Sequence, residues 1–295
     1  MSTVSKNIEY YRKQAGMTRK DLAAGICDES TLYRIEKGAQ NPRLDLLYDI
    51  CRKLKVPIDF VISDLHYNDL MEIERYKNLC RELTYNEDYE ALTLTIEEFD
   101  KLLDLYKHQA EYASTKRFIT WHKAVLLHMK ENNPAEAEDQ LKSIYEQRLR
   151  TELDIGICNS LGLVKLNRQG VAAAINYFKK AYSAIEDLPF KSDFTLAPRV
   201  AYNLAYCHYY NGNLHEAITL AYKIIEMLEK KQLSFIMGKT KHMLGKINMK
   251  LGDYEQAREY LIEAKFLFRL EKNEAHYRKT EADLDEVQEL IKGGN

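Results

Sequence analysis

The stretch ESTLYR, from Glu29 to Arg34, places a carboxylate, two hydroxyls, a phenol and a guanidinium within six positions. An arginine can pair with both acceptors of a guanine, and an acidic or hydroxyl side chain can bond a neighbouring base edge. Each good contact of this kind discriminates between bases by ~1–3 kcal/mol. Glu29, Ser30, Thr31, Tyr33 and Arg34 are therefore candidate readers of a double helix. Arg19, Lys37, Asn41 and Arg43 flank them and suit phosphate oxygens, contacts that hold register without reading sequence. Glu36 would be repelled by phosphate, so it is expected to be structural and paired internally with Arg12.

A second set of binding groups lies later in the chain. Asn159 and Asn203 each carry a donor and an acceptor. On adjacent helices, two such amides can hold an extended peptide backbone whatever its side chains. Asparagine is locally unfavourable in the middle of a helix, which argues for a role beyond structure. Tyr202, Tyr206, Tyr209 and Tyr210 add apolar area with a polar tip. Arg199, Lys239, His242 and Lys246 would suit an acidic side chain or a terminal carboxylate. No catalytic arrangement accompanies these groups: the sequence has no GxSxG, Walker loop, HExxH or dinucleotide fingerprint. Its eight histidines show no metal-ligand spacing. The expectation is a non-enzyme with no cofactor and no metal.

The readers need a rigid support, and the flanking sequence supplies one. Thr18 is a good N-cap for a short helix containing Asp21, Leu22 and Ala23, and Gly25 provides a turn. Asp28 or Glu29 opens a second helix in which Leu32 and Ile35 point inward. Gly38 can take the left-handed conformation that ends it. A helix–turn–helix of this shape lays its second helix in the major groove, led by its N-terminal polar side chains. Ahead of it, a helix from about Ser5 to Gln14 turns Ile8 and Tyr11 inward. Behind it, Pro42 is expected to start a helix with Leu44, Leu47, Ile50 and Leu54 on one apolar face. Residues 58–65 close this small domain, and the charged run from His66 to Leu79 reads as a connecting helix.

From about residue 70 the chain repeats. A small or apolar residue is followed thirteen positions later by alanine and, seven further on, by another small or apolar residue. Ala124/Ala137/Ile144, Leu161/Ala174/Ala181, Leu204/Ala217/Ile224 and Leu244/Ala257/Ala264 obey this rule. Turn residues fall between the first two members each time, so each unit reads as helix, turn, helix. A weaker copy begins at Leu79 with Asn86, Glu87 and Asp88 as its turn. The stretch from Glu271 to Lys292 reads as a cap.

Bulk properties set the frame for these motifs. The 295 residues favour two domains, with few Gly (12) and Pro (5) and no alternating β-branched runs, which points to an all-α chain. Residues 1–65 hold 11 Lys and Arg against 9 Asp and Glu, a balance of +2. The remainder holds 32 against 36, a balance of −4, consistent with −2 overall. The small basic excess lies where the readers lie, a weak electrostatic footprint. Five widely spread cysteines without a CxxC pair argue against disulfides and zinc, and fit a reducing, cytoplasmic setting. No apolar run resembles a signal peptide or reaches the ~18 residues of a membrane span.

These motifs resemble known families. Ile8, Arg12, TRKDLA, STLYRIEKG and Asn41-Pro42 are similar to the Xre/lambda-repressor-like DNA-binding domain. Arg19 stands where that family usually has glutamine. LGKINMKLGDYEQA, from Leu244 to Ala257, is similar to the tetratricopeptide repeat, although the units recur every 37 to 45 residues and lack the closing proline. Trp121, three residues before Ala124, falls where that repeat prefers an aromatic. Together, residues 1–65 (helix–turn–helix), 66–78 (linker helix) and 79–295 (about five repeat pairs and a capping helix) resemble the PlcR/PrgX/Rgg class of peptide-responsive regulators.

The resemblance implies a homodimeric transcription factor of Gram-positive quorum sensing. A short signalling peptide would bind in the concave groove of the repeats and alter the hold on a near-palindromic operator. It also implies peptide contacts at Asn159, Asn203 and Tyr277. Two alternatives stand beside it. The repeats could bind a protein partner instead of a peptide, or Cys27, just before the reading helix, could act as a thiol sensor.

Overall fold

A computed structural model describes residues 3–62, 67–107, 109 and 111–293 of the chain. Among these residues there are helices and one 3-10 turn but no strand. The N-terminal domain comprises α1 (Thr3–Gln14), α2 (Arg19–Ala23), α3 (Glu29–Glu36), α4 (Leu44–Leu54) and α5 (Ile58–Ile62). Thr18 caps α2 in a reciprocal box with Asp21, whose backbone N–H donates to the Thr18 hydroxyl while its carboxylate accepts from the Thr18 N–H. Past the end of α3, Gly38 adopts φ 71°. Ala39 donates to the Arg34 carbonyl at 2.8 Å and Gly38 to that of Ile35 at 3.0 Å. These two hydrogen bonds satisfy carbonyls the helix end would otherwise leave open.

Ile8, Leu22, Leu32, Ile35, Ile50 and Val61 form the sealed centre of this domain. Each buried side chain of this size contributes about 1.5–3 kcal/mol. Asn7 donates its amide to the Val61 carbonyl at 3.1 Å, tying the first helix to the fifth. Two expectations need correction here. The fourth helix starts at Leu44 after an Arg43 cap, two residues beyond Pro42. Leu44 itself is 75% exposed, and Cys51 joins Leu47, Ile50 and Leu54 on the buried face instead.

The chain divides into two compact units, Met1–Lys123 and Ala124–Asn295. The first also contains α6 (Tyr67–Tyr85) and α7 (Tyr89–Leu103), a 3-10 turn (Asp104–Tyr106) and the start of α8 (Glu111–Met129). The sixth helix runs without a break through residues 78 and 79, so most of the expected linker and the first helix of the weak repeat are one element. Its expected start, residue 66, lies outside the described residues. Asp88 caps the seventh helix through the Ala91 N–H at 3.1 Å, and Glu87 makes the turn at φ 58°.

The second unit holds α9 (Pro134–Ser143), then the pairs α10 (Glu152–Gln169) with α11 (Val171–Glu186), α12 (Leu196–Tyr210) with α13 (Leu214–Lys230), and α14 (Met237–Leu251) with α15 (Tyr254–Leu270). Helix α16 (Glu274–Gly293) packs on α15. Eleven of the twelve repeat positions are buried, and only Ile144, at the end of α9, is half-exposed. Close crossing explains the pattern. A Cβ at Gly162 would lie 2.6 Å from the Phe178 ring, and one at Gly245 would lie 2.6 Å from Leu261. The paired helices of 15–18 residues account for most of the long repeat period. A nine-residue connection, 187–195, between α11 and α12 accounts for the 43-residue interval from Leu161 to Leu204.

Candidate nucleic-acid interface and repeat groove

Leu32 and Ile35 anchor α3 in the core, which turns its other face outward. On that face Glu29, Ser30, Tyr33 and Arg34 are exposed, while Thr31 is half-buried. Arg34 reaches back to the Thr31 hydroxyl at 3.4 Å and otherwise projects from the helix. Lys37, Asn41 and Arg43 are exposed beyond its C-terminus. Lys37 lies 3.9 Å from Glu9, and Arg43 lies 3.4 Å from Asp45. The exposed groups can donate to and accept from base edges and phosphates in one continuous stretch.

A buried carboxylate holds this face in place. Glu36 is fully buried and accepts from Arg12 Nε at 2.6 Å and Nη2 at 3.2 Å. It also accepts from Arg19 Nε at 2.6 Å. One acidic side chain thereby joins α1, α2 and α3. The expected Arg12 partner is present; the second, Arg19, is not foreseen by the sequence reading. Arg19 also lies over the Tyr33 ring at 5.1 Å, so the side chain expected to hold phosphate is engaged inside the domain and is 28% exposed. Burial, then the neighbouring Asp28, pushes the Cys27 thiol above its usual range. That shift disfavours the reactive thiolate which the sensor alternative requires.

In the repeats, α10, α12 and α14 are successive first helices and touch in sequence. Asn203 Nδ2 donates to Asn159 Oδ1 at 2.9 Å across two of them. The bond uses one group of each amide, leaving the Asn159 donor and the Asn203 acceptor for a further partner. Nearby, the Tyr206 and Tyr210 rings lie 4.5 Å apart, and Tyr209 meets Tyr210 edge-on at 5.0 Å. Burial pushes the Tyr202 hydroxyl up to about 12, and burial together with Tyr210 raises that of Tyr206. Both remain hydrogen-bond donors at neutral pH.

The basic residues are distributed less openly than expected. Arg199 Nη2 is held by Asp193 at 2.9 Å. His242 Nε2 and Lys246 Nζ both meet Asp283 of α16, at 2.6 and 2.7 Å. Burial opposes ionisation of Asp283, but these two bonds outweigh it and lower its pKa. Lys239 is half-buried on the same helix as His242. Tyr277 is half-buried with Lys265 over its ring at 5.0 Å. Sequence reasoning missed Asp283 because one acid among many in a charged helix gives no local signal. Lys250, which covers the Tyr209 ring at 3.9 Å, was missed because a lone lysine at the end of α14 gives no local signal of a ring contact 41 positions away. Among the described residues no group of His, Cys, Asp and Glu could hold a metal, and no helix is long and apolar enough to cross a membrane.

Comparison with known proteins follows the same division. A helix-turn-helix family model matches residues 8–61, and a tetratricopeptide repeat model matches residues 238–265. Among solved structures, the chain is similar to PlcR of Bacillus thuringiensis in complex with the peptide PapR7 and DNA. The identity is 20%, over 95% of this chain and 99% of that one, with a TM-score of 0.79. It is similar to ComR of S. thermophilus in complex with DNA and its signalling peptide ComS, with 16% identity, 97% and 99% coverage and a TM-score of 0.62. Rgg2, the SHP pheromone receptor of Streptococcus dysgalactiae, follows at 15% identity, 96% and 99% coverage and a TM-score of 0.55. Among curated proteins no match is found. The chain thus shares an all-α architecture, helix–turn–helix followed by helical repeats, with these regulators.

Proposed function

We propose, from the fold shared with PlcR, ComR and Rgg2, that this chain is a DNA-binding transcriptional regulator controlled by a short peptide held in the groove of its repeats. It acts by binding and not by catalysis. The observation that carries the reading is the Asn159–Asn203 amide pair, 2.9 Å apart on adjacent first helices. A donor and an acceptor remaining at that spacing match the alternating groups of an extended backbone. Tyr202, Tyr206 and Tyr210 supply apolar area beside them.

On the DNA side, Glu29, Ser30, Tyr33 and Arg34 read base edges in the major groove, while Lys37, Asn41 and Arg43 hold phosphates. The regulator works as a homodimer whose two headpieces span a near-palindrome. Peptide acts by preferring one spacing of the headpieces; equal affinity for both forms would shift nothing.

The test is calorimetry with short peptides encoded beside the gene, using wild type and the Asn159→Ala/Asn203→Ala double variant. Binding by wild type that is lost in the variant supports the groove assignment. Fluorescence anisotropy of operator DNA at fixed salt then follows. Peptide that saturates the protein without altering operator affinity would overturn the regulatory reading. Failure of every neighbouring peptide to bind would favour a protein partner on the repeats and leave the DNA assignment standing.

A further inference from the structure

The repeats contain a cavity whose lining does not include the paired asparagines. It is a cleft of about 310 Å³ beside the 187–195 connection, at the lower end of the ~300–1,000 Å³ typical of small-molecule sites. Its wall is apolar: Ile185 from the end of α11, Leu188 from the connection, Leu196 and Pro198 from the start of α12, and Met227 from α13. Its rim is cationic. Lys191, Lys230 and Lys231 line it and all are exposed, with Lys231 resting on the Phe194 ring at 3.8 Å.

Two carboxylates also border the cleft, and both are committed to the fold. Glu152 accepts from the backbone N–H groups of Ser192 and Asp193, at 2.6 and 2.9 Å, and from the Ser192 hydroxyl. Asp193 accepts from the Thr195 N–H at 2.9 Å and is paired with Arg199. These bonds fix the connection in shape; with Asp193 matched by Arg199, the three lysines outnumber the Glu152 carboxylate and leave the rim net positive. Leu196, Ala197 and Pro198 of the first turn of α12 line the same cleft. An apolar floor about the size of one short chain, under a rim of cations, selects a ligand with one apolar tail and one negative head.

We propose that this cleft binds a small amphiphilic anion, a medium-chain carboxylate in the simplest case. The apolar tail lies against Leu188, Leu196 and Met227, and the carboxylate meets Lys191, Lys230 and Lys231. The lining of the site contains none of the candidate peptide residues, and Arg199 enters only through its bond to Asp193.

Titration of the full chain with decanoate tests this, followed by calorimetry and by displacement of 8-anilinonaphthalene-1-sulfonate fluorescence. Decanol and decyltrimethylammonium serve as the uncharged and cationic controls. The expected result is saturable binding of decanoate, weaker binding of decanol and none of the cation. Lys230→Gln/Lys231→Gln, at exposed positions that preserve the fold, should weaken decanoate roughly tenfold and leave decanol unchanged. Ala197→Trp should fill the cleft and abolish both, its fold checked by circular dichroism. Equal affinity for decanoate and decanol, or decanoate affinity indifferent to the lysine variant, would overturn the proposal. So would the absence of saturable decanoate binding, or an apolar acidic peptide competing for the cleft where decanoate does not.

Discussion

Removing the Glu36 carboxylate would leave the Arg12 guanidinium buried without its counter-charge and release Arg19 from the first turn of α2. Breaking one side of a buried ion pair costs about 3–5 kcal/mol, so Glu36→Ala should lower headpiece stability by that order. Urea unfolding of the variant against wild type measures it. Arg34→Ala leaves the core untouched and should weaken operator binding by ~1–3 kcal/mol, with relaxed preference at a single base pair. Anisotropy with a set of single-base operator variants reads both effects. The polar face of α3 was legible in the sequence because Leu32 and Ile35, three positions apart, fix which way the helix turns. The fate of Arg19 was not legible. Its capture by Glu36 depends on a contact between residues 17 positions apart that brings α2 against α3, and no local pattern encodes that meeting.

At the scale of elements, helix crossings decide the repeat unit. Gly162→Ala and Gly245→Ala each introduce a methyl that must displace a packed side chain, at about 1–3 kcal/mol. Thermal unfolding should show both losses. Glu138 of α9 supplies a different tie: it is 2% exposed, accepts from Lys142 and from Lys165 of α10 at 2.5 and 2.8 Å, and also pairs with Arg168. Burial raises its pKa, but the lysine contacts prevail and bring it down to about 2.

A carboxyl with a depressed folded value contributes its full stability above the ordinary ~4.3 of the unfolded chain. The contribution falls away as pH drops toward 2. Wild type should therefore lose on the order of 3 kcal/mol more than Glu138→Gln between pH 5 and pH 2, read from melting temperatures across that range. The thirteen-and-seven spacing revealed the crossings because small residues are needed wherever two helices meet closely. It gave no indication that α6 continues unbroken from the expected linker, since a helix without Gly or Pro offers no internal mark of a boundary. Leu44 misled for a related reason: it fits the three-to-four-residue rhythm of α4 but lies in its first turn, beyond the edge of the core.

At the scale of the whole molecule, the proposed regulator has two charged ligands and a near-neutral chain. Sedimentation equilibrium should return twice the chain mass, and operator binding should need both headpieces, with half-site DNA bound far more weakly. A monomer at operator-binding concentrations would sink that expectation. The Asp283 contacts to His242 and Lys246 bear on the other ligand. DNA binding displaces condensed counterions, so its affinity falls steeply as salt rises. The basic pair in the repeats instead carries an internal counterion, fixed to the chain. A peptide carboxylate arriving there exchanges one anion for another, and no mobile ion enters or leaves the balance. Peptide affinity should accordingly be almost flat between low and physiological salt while operator affinity drops by orders of magnitude. The ionic strength of the cell would then tune how firmly the molecule holds its gene without altering how it hears its signal.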